Sequence, residues 1–331
     1  MKLTIIIPCL NEEQYIEKCI SSILENDYPK TDYEIIIVDG GSTDETLDLL
    51  KQITKQPPVP IKVLHNEKKT PPTAMNIGIR AAQGELIMRL DTHAFYPSNY
   101  ISTLVDWKKK LNADNIGAVT KTDVLISSKI SEAIKKVLAH KFGVGSGLFR
   151  IGVDKAVEVD TVPFGCYSKE VLTEIGGYDE RLKRNQDIEL NKRLIAAGKT
   201  VFLIPYTFCI YYARESWGKF AKNSYDNGKW NIITTYYTKN VASLSFRHFI
   251  PLFFVLSLVI PALLTFLFWP FILLAILSFS LYVLTLVFFI SKMDRKGTTF
   301  FHLFWTFLVL HISYGVGSFV GLFHIGKLFK K

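Results

Sequence analysis

The chain has 331 residues, a formal net charge of +9 and a hydrophobic fraction of 49%, enough for about two domains or one large domain with an appendage. No basic patch interleaved with aromatics occurs in its globular part, so the positive charge does not mark a nucleic-acid binder. Cys9, Cys19, Cys166 and Cys209 lack CxxC spacing and read as reduced, structural thiols.

Met1–Pro8 is too short for a signal peptide and runs directly into Asn11-Glu12-Glu13, so the N-terminal domain is expected to stay in the cytosol. Leu3–Ile7 is an all-apolar, β-branched run of the kind found in parallel strands buried on both faces. It stops at Pro8, and Asn11 is expected to cap a helix carrying Ile16, Cys19, Ile20, Ile23 and Leu24. Tyr33–Val38 repeats the strand pattern and breaks at Asp39-Gly40-Gly41, after which Ser42–Glu45 reads as a capping box for a second helix. Two βα units in succession predict a doubly wound α/β sheet. A shorter strand at Ile61–Leu64, the Thr70-Pro-Pro loop and a helix around Ala74–Ala82 follow, and Gly84 turns the chain into Glu85–Pro97.

Glu85–Pro97 reads as a buried strand ending on Asp91-Thr92-His93. Two residues apart in an extended chain, Asp91 and His93 would share a face. A carboxylate beside a neutral imidazole can hold a divalent cation, and the carboxyl edge of such a sheet is where phosphorylated ligands bind. Taken alone, the triplet is equally a surface Asp followed by a chance His. Asp39 ends another strand, which should open onto the same crevice. No GxGxxG follows the first strand, which removes the main support for dinucleotide binding.

Farther on, Arg184–Leu194 opens an amphipathic helix, and residues 143–152, with four glycines, read as a loop able to act as a lid. From Arg214 to Arg247 six basic residues face two acidic ones, with Trp217, Phe220, Tyr225, Trp230, Tyr236 and Tyr237 interspersed, a composition suited to an anionic membrane surface. Phe249–Ser291 carries no charged residue and is long enough for two spans, with Trp269-Pro270 as the turn. Lys292, Arg295 and Lys296 then mark the cytosolic side. Thr299–Leu322 is a third, weaker span holding His302 and His311, and it would leave Lys327, Lys330 and Lys331 outside, against the positive-inside rule. Gly317 and Gly321 form a GxxxG, read as close helix packing.

Pro8-Cys-Leu-Asn-Glu12-Glu, Val-Asp39-Gly-Gly-Ser-Thr-Asp44, Ala74-Met-Asn-Ile-Gly78 and Leu-Asp91-Thr-His93 occur in that order. Together they resemble the signatures of family-2 glycosyltransferases of the GT-A fold over residues 1–230, most of all the membrane-bound succinoglycan glucosyltransferase type of exopolysaccharide assembly. The resemblance implies an α/β, Rossmann-like GT-A domain over residues 1–213, a membrane-interface segment over 214–248, and a transmembrane region over 249–331 with helices at 249–269, 271–291 and 300–322.

It further implies that Pro8 and Glu12 lie by the nucleotide base and ribose, and that Asp39 hydrogen-bonds the base, although Asp39 also reads as a turn-forming residue before two glycines. Asp91 and His93 stand where the family carries Asp-x-Asp, holding Mn²⁺ or Mg²⁺ on the donor's phosphates. With imidazole in place of the second carboxylate, Mn²⁺ is favoured and metal affinity should fall in mild acid. His93 also reads as a hydrogen-bonded loop histidine. Asp187 matches the catalytic base, and Gln186 stands where many relatives carry Glu; an acid stabilising the helix dipole is the other reading of Asp187, one that Glu189 fills equally.

Gly165, Cys166 and Tyr167 would shape the acceptor side, as would Gly176-Gly177-Tyr178-Asp179. Lys222 and Lys229 are candidate diphosphate contacts. The implied enzyme is an inverting, multi-pass protein of the inner membrane, with its catalytic domain cytosolic. It would move a sugar from a UDP-sugar to a lipid-linked acceptor such as a polyprenyl-diphosphate sugar. A processive synthase and a non-enzymatic nucleotide-sugar-binding protein are the alternatives. Of the Gln-x-x-Arg-Trp motif of processive synthases, only Trp230 is matched.

Overall fold

The structure, a computed structural model, describes residues 2–145, 147–240 and 244–328. In chain order its elements are β1 Leu3–Cys9, α1 Ile16–Leu24, β2 Tyr33–Asp39, α2 Thr46–Ile53, β3 Ile61–His65, α3 Pro71–Ala81, β4 Leu86–Arg89, β5 Ala94–Phe95 and α4 Tyr100–Leu111. There follow β6 Asn115–Asp123, α5 Lys129–Leu138, α6 Lys141–Val144, α7 Leu148–Ile151, β7 Val157–Glu158, β8 Cys166–Ser168, α8 Lys169–Glu174, α9 Gln186–Ala196 and β9 Val201–Tyr212. The last elements are α10 Trp217–Thr238, a 3-10 turn at Phe246–His248, α11 Ile250–Leu264, α12 Phe271–Lys292 and α13 Phe300–Leu328. Packing divides the chain into two units, Met1–Lys121 with Leu148–Tyr212 and Thr122–Gly147 with Ala213–Lys331.

In the first unit the sheet runs β3-β2-β1-β4-β8-β6-β9-β5, with β7 on the outer side of β9. β3, β2, β1 and β4 are parallel, whereas β8 is antiparallel to both β4 and β6. The continuous isoleucine runs are explained by two-sided burial. Ile5, Ile7, Ile35 and Ile37 enter one core with Ile16, Ile20, Tyr100 and Leu104. Ile6, Ile36 and Val38, one residue out of phase, enter the opposite core with Met75, Ile79, Leu190 and Leu194. Each such side chain contributes about 1.5–3 kcal/mol by leaving water. α3 lies so close to β1 that a Cβ on Gly78 would stand 2.5 Å from Ile6 Cγ2, which explains why the Ala74–Gly78 motif ends on glycine.

From β1 the chain winds to one side through β2 and β3, then returns to place β4 on the other side of β1. The carboxyl ends of β1 and β4 therefore flank the point where the winding reverses, the usual binding crevice of an open α/β sheet.

Several local expectations change. α1 begins at Ile16 and takes no cap from Asn11, which instead adopts φ 55° and accepts a hydrogen bond from Thr43 N at 2.8 Å. Ser42 caps nothing: its hydroxyl turns back to Asp39 Oδ1 at 2.5 Å, and α2 begins at Thr46. β4 ends at Arg89, so Asp91 and His93 lie in the turn beyond the strand and the same-face argument for an extended chain does not apply. Where a loop over 143–152 was expected, the single-turn helices α6 and α7 flank Ser146, which lies outside the described residues.

In the second unit, α5 opens with a reciprocal capping box of Ser128 and Ser131. It buries Ala133, Ile134 and Val137 with Leu286 and Ile290 of α12 and Leu303 and Phe307 of α13. α10 packs backbone to backbone on α13: a Cβ on Gly228 would strike Tyr314 O, and one on Gly317 would strike Tyr225 O. Three helical stretches, Phe246–Leu264, Phe271–Lys292 and Phe300–His324, are long and apolar enough to cross a membrane. The third is half buried by protein, against 11% for each of the others, and this accounts for its weaker apolar signal. His311 there is engaged by Tyr282 Oη at 2.9 Å and Phe142 O at 3.0 Å. Lys330 and Lys331 lie outside the described residues.

Candidate active site

A cavity of about 170 Å³ opens at the reversal point. Pro8, Cys9 and Glu12 line it from the end of β1, Gly40 from the end of β2, Asn66, Lys69 and Thr70 from the loop before α3, and Arg89, Asp91 and His93 from the end of β4. The loops after β1 and β2 are laced together. Asn11 N donates to Ser42 Oγ (2.9 Å), Glu12 N to Thr46 Oγ1 (2.7 Å), and Glu45 N to Glu13 Oε2 (3.1 Å). This lacing presents Glu12 to the cavity. Its Oε2 stands 3.1 Å from His93 Nδ1, and Tyr15 meets the imidazole edge-on with ring centroids 4.4 Å apart.

Asp91 is anchored from below. Arg89 grips it with a fork, Nε to Oδ1 at 3.0 Å and Nη2 to Oδ2 at 3.2 Å. Asp91 N donates to Tyr96 Oη, which donates back to Asp91 O at 3.0 Å. Arg89 is buried whereas the Asp91 side chain is about one-third exposed, so the carboxylate is presented upward by a fixed cation. Burial works against the Arg89 charge, but Asp91, Tyr178 and Asp187 outweigh it and hold the guanidinium above its already high range. The Cys9 thiol lining the cavity is pushed far above its usual range by burial first and by Glu12, Asp39 and Asp44 next; it is no thiolate at neutral pH.

A divalent ion suits this wall in part. Carboxylate and imidazole face one cavity, and each Asp91 oxygen accepts a single hydrogen bond from Arg89, leaving a lone pair. Among the described residues no three His, Cys, Asp or Glu side chains form a ready metal cluster. An ion held by Asp91 and His93 would take its remaining ligands from phosphate oxygens and water.

The other predicted residues are distributed differently. Asp39 is buried and does not line the cavity. Its Oδ2 accepts from Gly41 N (2.7 Å) and Ser42 N (3.1 Å), and its Oδ1 from Ser42 Oγ. These bonds give Asp39 the turn-forming role, and Oδ1, which accepts only from Ser42 Oγ, keeps a lone pair. Asp187 stands in the first turn of α9, half-buried, with Oδ1 accepting Ile188 N at 3.0 Å. It does not line the cavity but interacts electrostatically with Arg89. Glu189, the other candidate for the dipole role, is instead held in a fork by Arg193 (2.6 and 2.9 Å). Arg193 also ties down the carbonyls of Ile175 and Gly177.

Gln186 is buried, and its Oε1 has no hydrogen-bond partner among the described residues. Cys166 and Tyr167 are fully buried in opposite cores. They offer no surface to a ligand. A Cβ on Gly165 would strike Asn115 Oδ1 and come within 2.8 Å of Tyr167, so internal packing is what requires glycine there. Lys222 and Lys229 belong to the second unit, on α10.

Three residues that carry the geometry were not marked in the sequence. Arg89 was hidden inside an apolar strand. Asn76 was only a motif letter, yet it brackets Tyr178, with Nδ2 on Tyr178 O (2.8 Å) and Oδ1 receiving Tyr178 N (2.9 Å). Lys69 arches toward Gly41 with its backbone at φ 56°. Left-handed non-glycine residues are uncommon, and four of them adjoin site residues: Asn11 before Glu12, Lys69 before Thr70, Phe164 before Gly165, and Asn185 before Gln186.

Known proteins resemble the chain in both sequence and shape. The model of the family described as glycosyl transferase family 2 matches residues 4–136. Dolichyl N-acetyl-alpha-D-glucosaminyl phosphate 3-beta-D-2,3-diacetamido-2,3-dideoxy-beta-D-glucuronosyltransferase of Methanococcus voltae is 31% identical over 80% of this chain and 84% of its own length. The succinoglycan biosynthesis protein ExoA of Rhizobium meliloti is 29% identical over 63% of each chain. Among solved structures, a mannosyltransferase from Pyrobaculum calidifontis in complex with GDP-Man and Mn²⁺ aligns with a TM-score of 0.61 at 14% identity, over 96% of this chain and 87% of that one. S. aureus TarS 1-349 in complex with UDP-GlcNAc aligns at 0.55 and 16% identity, over 96% and 90%. The mixed α/β sheet, with its parallel half and its reversal point, is thus the GT-A fold. This chain belongs to glycosyl transferase family 2 and is a glycosyltransferase.

Proposed function

We propose that this enzyme transfers a sugar, with inversion, from a UDP-sugar to a lipid-linked acceptor at the cytosolic face of the cell's inner membrane, in cell-surface or exopolysaccharide assembly. The observation that carries the reading is the convergence of Glu12, Asp91 and His93 on one cavity at the reversal point of the sheet, in a chain with three helices fit to cross a membrane. Support for the donor comes from the UDP-GlcNAc complex of TarS. Support for the acceptor comes from the M. voltae relative, whose name specifies a dolichyl phosphate sugar.

Pro8 and Glu12 would face the nucleoside, with Asp39 shaping the loop beneath it. Asp91 and His93 would hold Mn²⁺ or Mg²⁺ against the donor diphosphate, where the ion would neutralise charge on the leaving group. Asp187 takes the proton from the acceptor hydroxyl as its oxygen attacks the anomeric carbon. The helix α9 that carries it is fastened by Arg193 to the Ile175–Gly177 turn. Gly165, Cys166, Tyr167 and Gln186 form the floor on the acceptor side. A single displacement gives the inverted anomer.

The test is a panel of UDP-sugars incubated with membranes containing the protein, Mn²⁺ and lipid-linked acceptors, with product linkage determined. Transfer to lipid with inversion is expected. His93→Ala should blunt the stimulation by Mn²⁺. Absence of transfer from every UDP-sugar, or His93→Ala with undiminished metal dependence, refutes the corresponding assignment.

A further inference from the structure

Arg89 keeps one hydrogen-bonding group in reserve. Its Nε and Nη2 are committed to Asp91, and the rigid geometry of guanidinium turns Nη1 away from that fork. The residue is 7% exposed, and Nη1 is buried without a hydrogen-bond partner among the described residues. Tyr178 Oη lies beside it and interacts with both Arg89 and Tyr167, but not at hydrogen-bond geometry. A buried charged donor with no acceptor is costly, and native structures rarely tolerate one. Arg89 nevertheless lines the same cavity as Glu12, Lys69, Asp91 and His93, so an acceptor can reach it from that side.

The chemistry of the acceptor is restricted. Guanidinium pairs most strongly with carboxylate and phosphate oxygens, and Lys69 gives the same cavity a second cation. We propose that Arg89 Nη1 donates to an anionic oxygen of the donor's diphosphate, holding it from the sheet side without any need for a metal. The fork would meanwhile keep Asp91 in place. One side chain would then bind phosphate and position the residue proposed to bind the ion. This rests on the nucleotide-sugar reading above and adds to it a specific anchor that works in the absence of metal.

The experiment is calorimetric titration of the full chain in detergent with uridine mono- and diphosphate, in EDTA, for the natural protein, Arg89→Lys and Arg89→Gln. The natural protein should prefer the diphosphate by about tenfold or more without metal, as suits one charge-assisted hydrogen bond. Arg89→Gln should reduce that preference to about twofold, and Arg89→Lys should fall between them. Equal affinity of the natural protein for both nucleotides in EDTA overturns the proposal, and so does an undiminished preference in Arg89→Gln. The first of these needs no variant to fold. If neither nucleotide binds with or without Mn²⁺, the nucleotide-sugar reading itself fails and takes the anchor with it.

Discussion

Asn76→Ala tests how the loop over residues 176–180 is held. The amide of Asn76 donates to Tyr178 O (2.8 Å) and Glu180 Oε1 (3.1 Å) and accepts from Tyr178 N (2.9 Å). Three partly buried hydrogen bonds at about 1 kcal/mol each put the loss near 2–3 kcal/mol. Lys68 still pairs with Glu180 at 2.8 Å, which keeps one end of the loop attached. For a unit of this size, that loss corresponds to a fall in melting temperature of roughly 5–10 °C. Thermal unfolding in detergent gives the global term. Amide hydrogen exchange at residues 176–180 should accelerate more than exchange in β1, because the bonds removed are local. An unchanged melting curve with unchanged exchange at Tyr178 would show that Asn76 does not hold the loop.

Other consequences follow from the same packing and chemistry. Asp187→Asn should lower turnover by ~10²–10⁴ while leaving affinity for uridine diphosphate intact; near-normal turnover means another group takes the proton. Gly78→Ala gains about 1 kcal/mol of helix propensity but drives a methyl into Ile6, an overpacking cost of about 1–3 kcal/mol. It should lower the melting temperature, and the sign should reverse in an Ile6→Ala background; a plain stabilisation by Gly78→Ala contradicts the contact. Gly317→Val places a branched side chain against the Tyr225 backbone and should lower the thermal stability of the second unit in detergent, whereas unaltered melting would mean that α10 and α13 are not in backbone contact.

Fold class was legible because β1 and β2 carry unbroken apolar runs, Ile5–Ile7 and Ile35–Val38, a pattern that burial on both faces sustains. The end of β2 was legible too, since Asp39 closes its run, whereas β4 stops at Arg89, short of the Asp91 triplet. What escaped were hydrogen bonds between residues distant in sequence. Ser42 and Asn11 have the chemistry of helix caps, but each found a partner in the neighbouring loop, 31 or 32 residues away in the case of Asn11. Arg89 was unreadable for a related reason: a cation inside a strand looks like an error until the acid it holds is placed two residues on. The roles of Asn76 and Lys69 depend on a tertiary bracket and a left-handed backbone, neither of which has a local signature in side-chain type.

The segment 122–147 has a practical consequence. The chain leaves the first unit after Lys121, returns at Leu148 and leaves again after Tyr212. The apolar face of α5, formed by Ala133, Ile134 and Val137, is covered by residues of α12 and α13, which are translated more than 130 positions later. A protein truncated after residue 213 to obtain a soluble catalytic fragment would therefore carry α5 with its seam uncovered. It should aggregate or recruit chaperones even though its sheet is complete. The same delay acts during synthesis on the ribosome, where α5 must wait for nearly the whole chain before it can dock. Removing or resurfacing α5 together with the terminal helices is the better route to a soluble fragment.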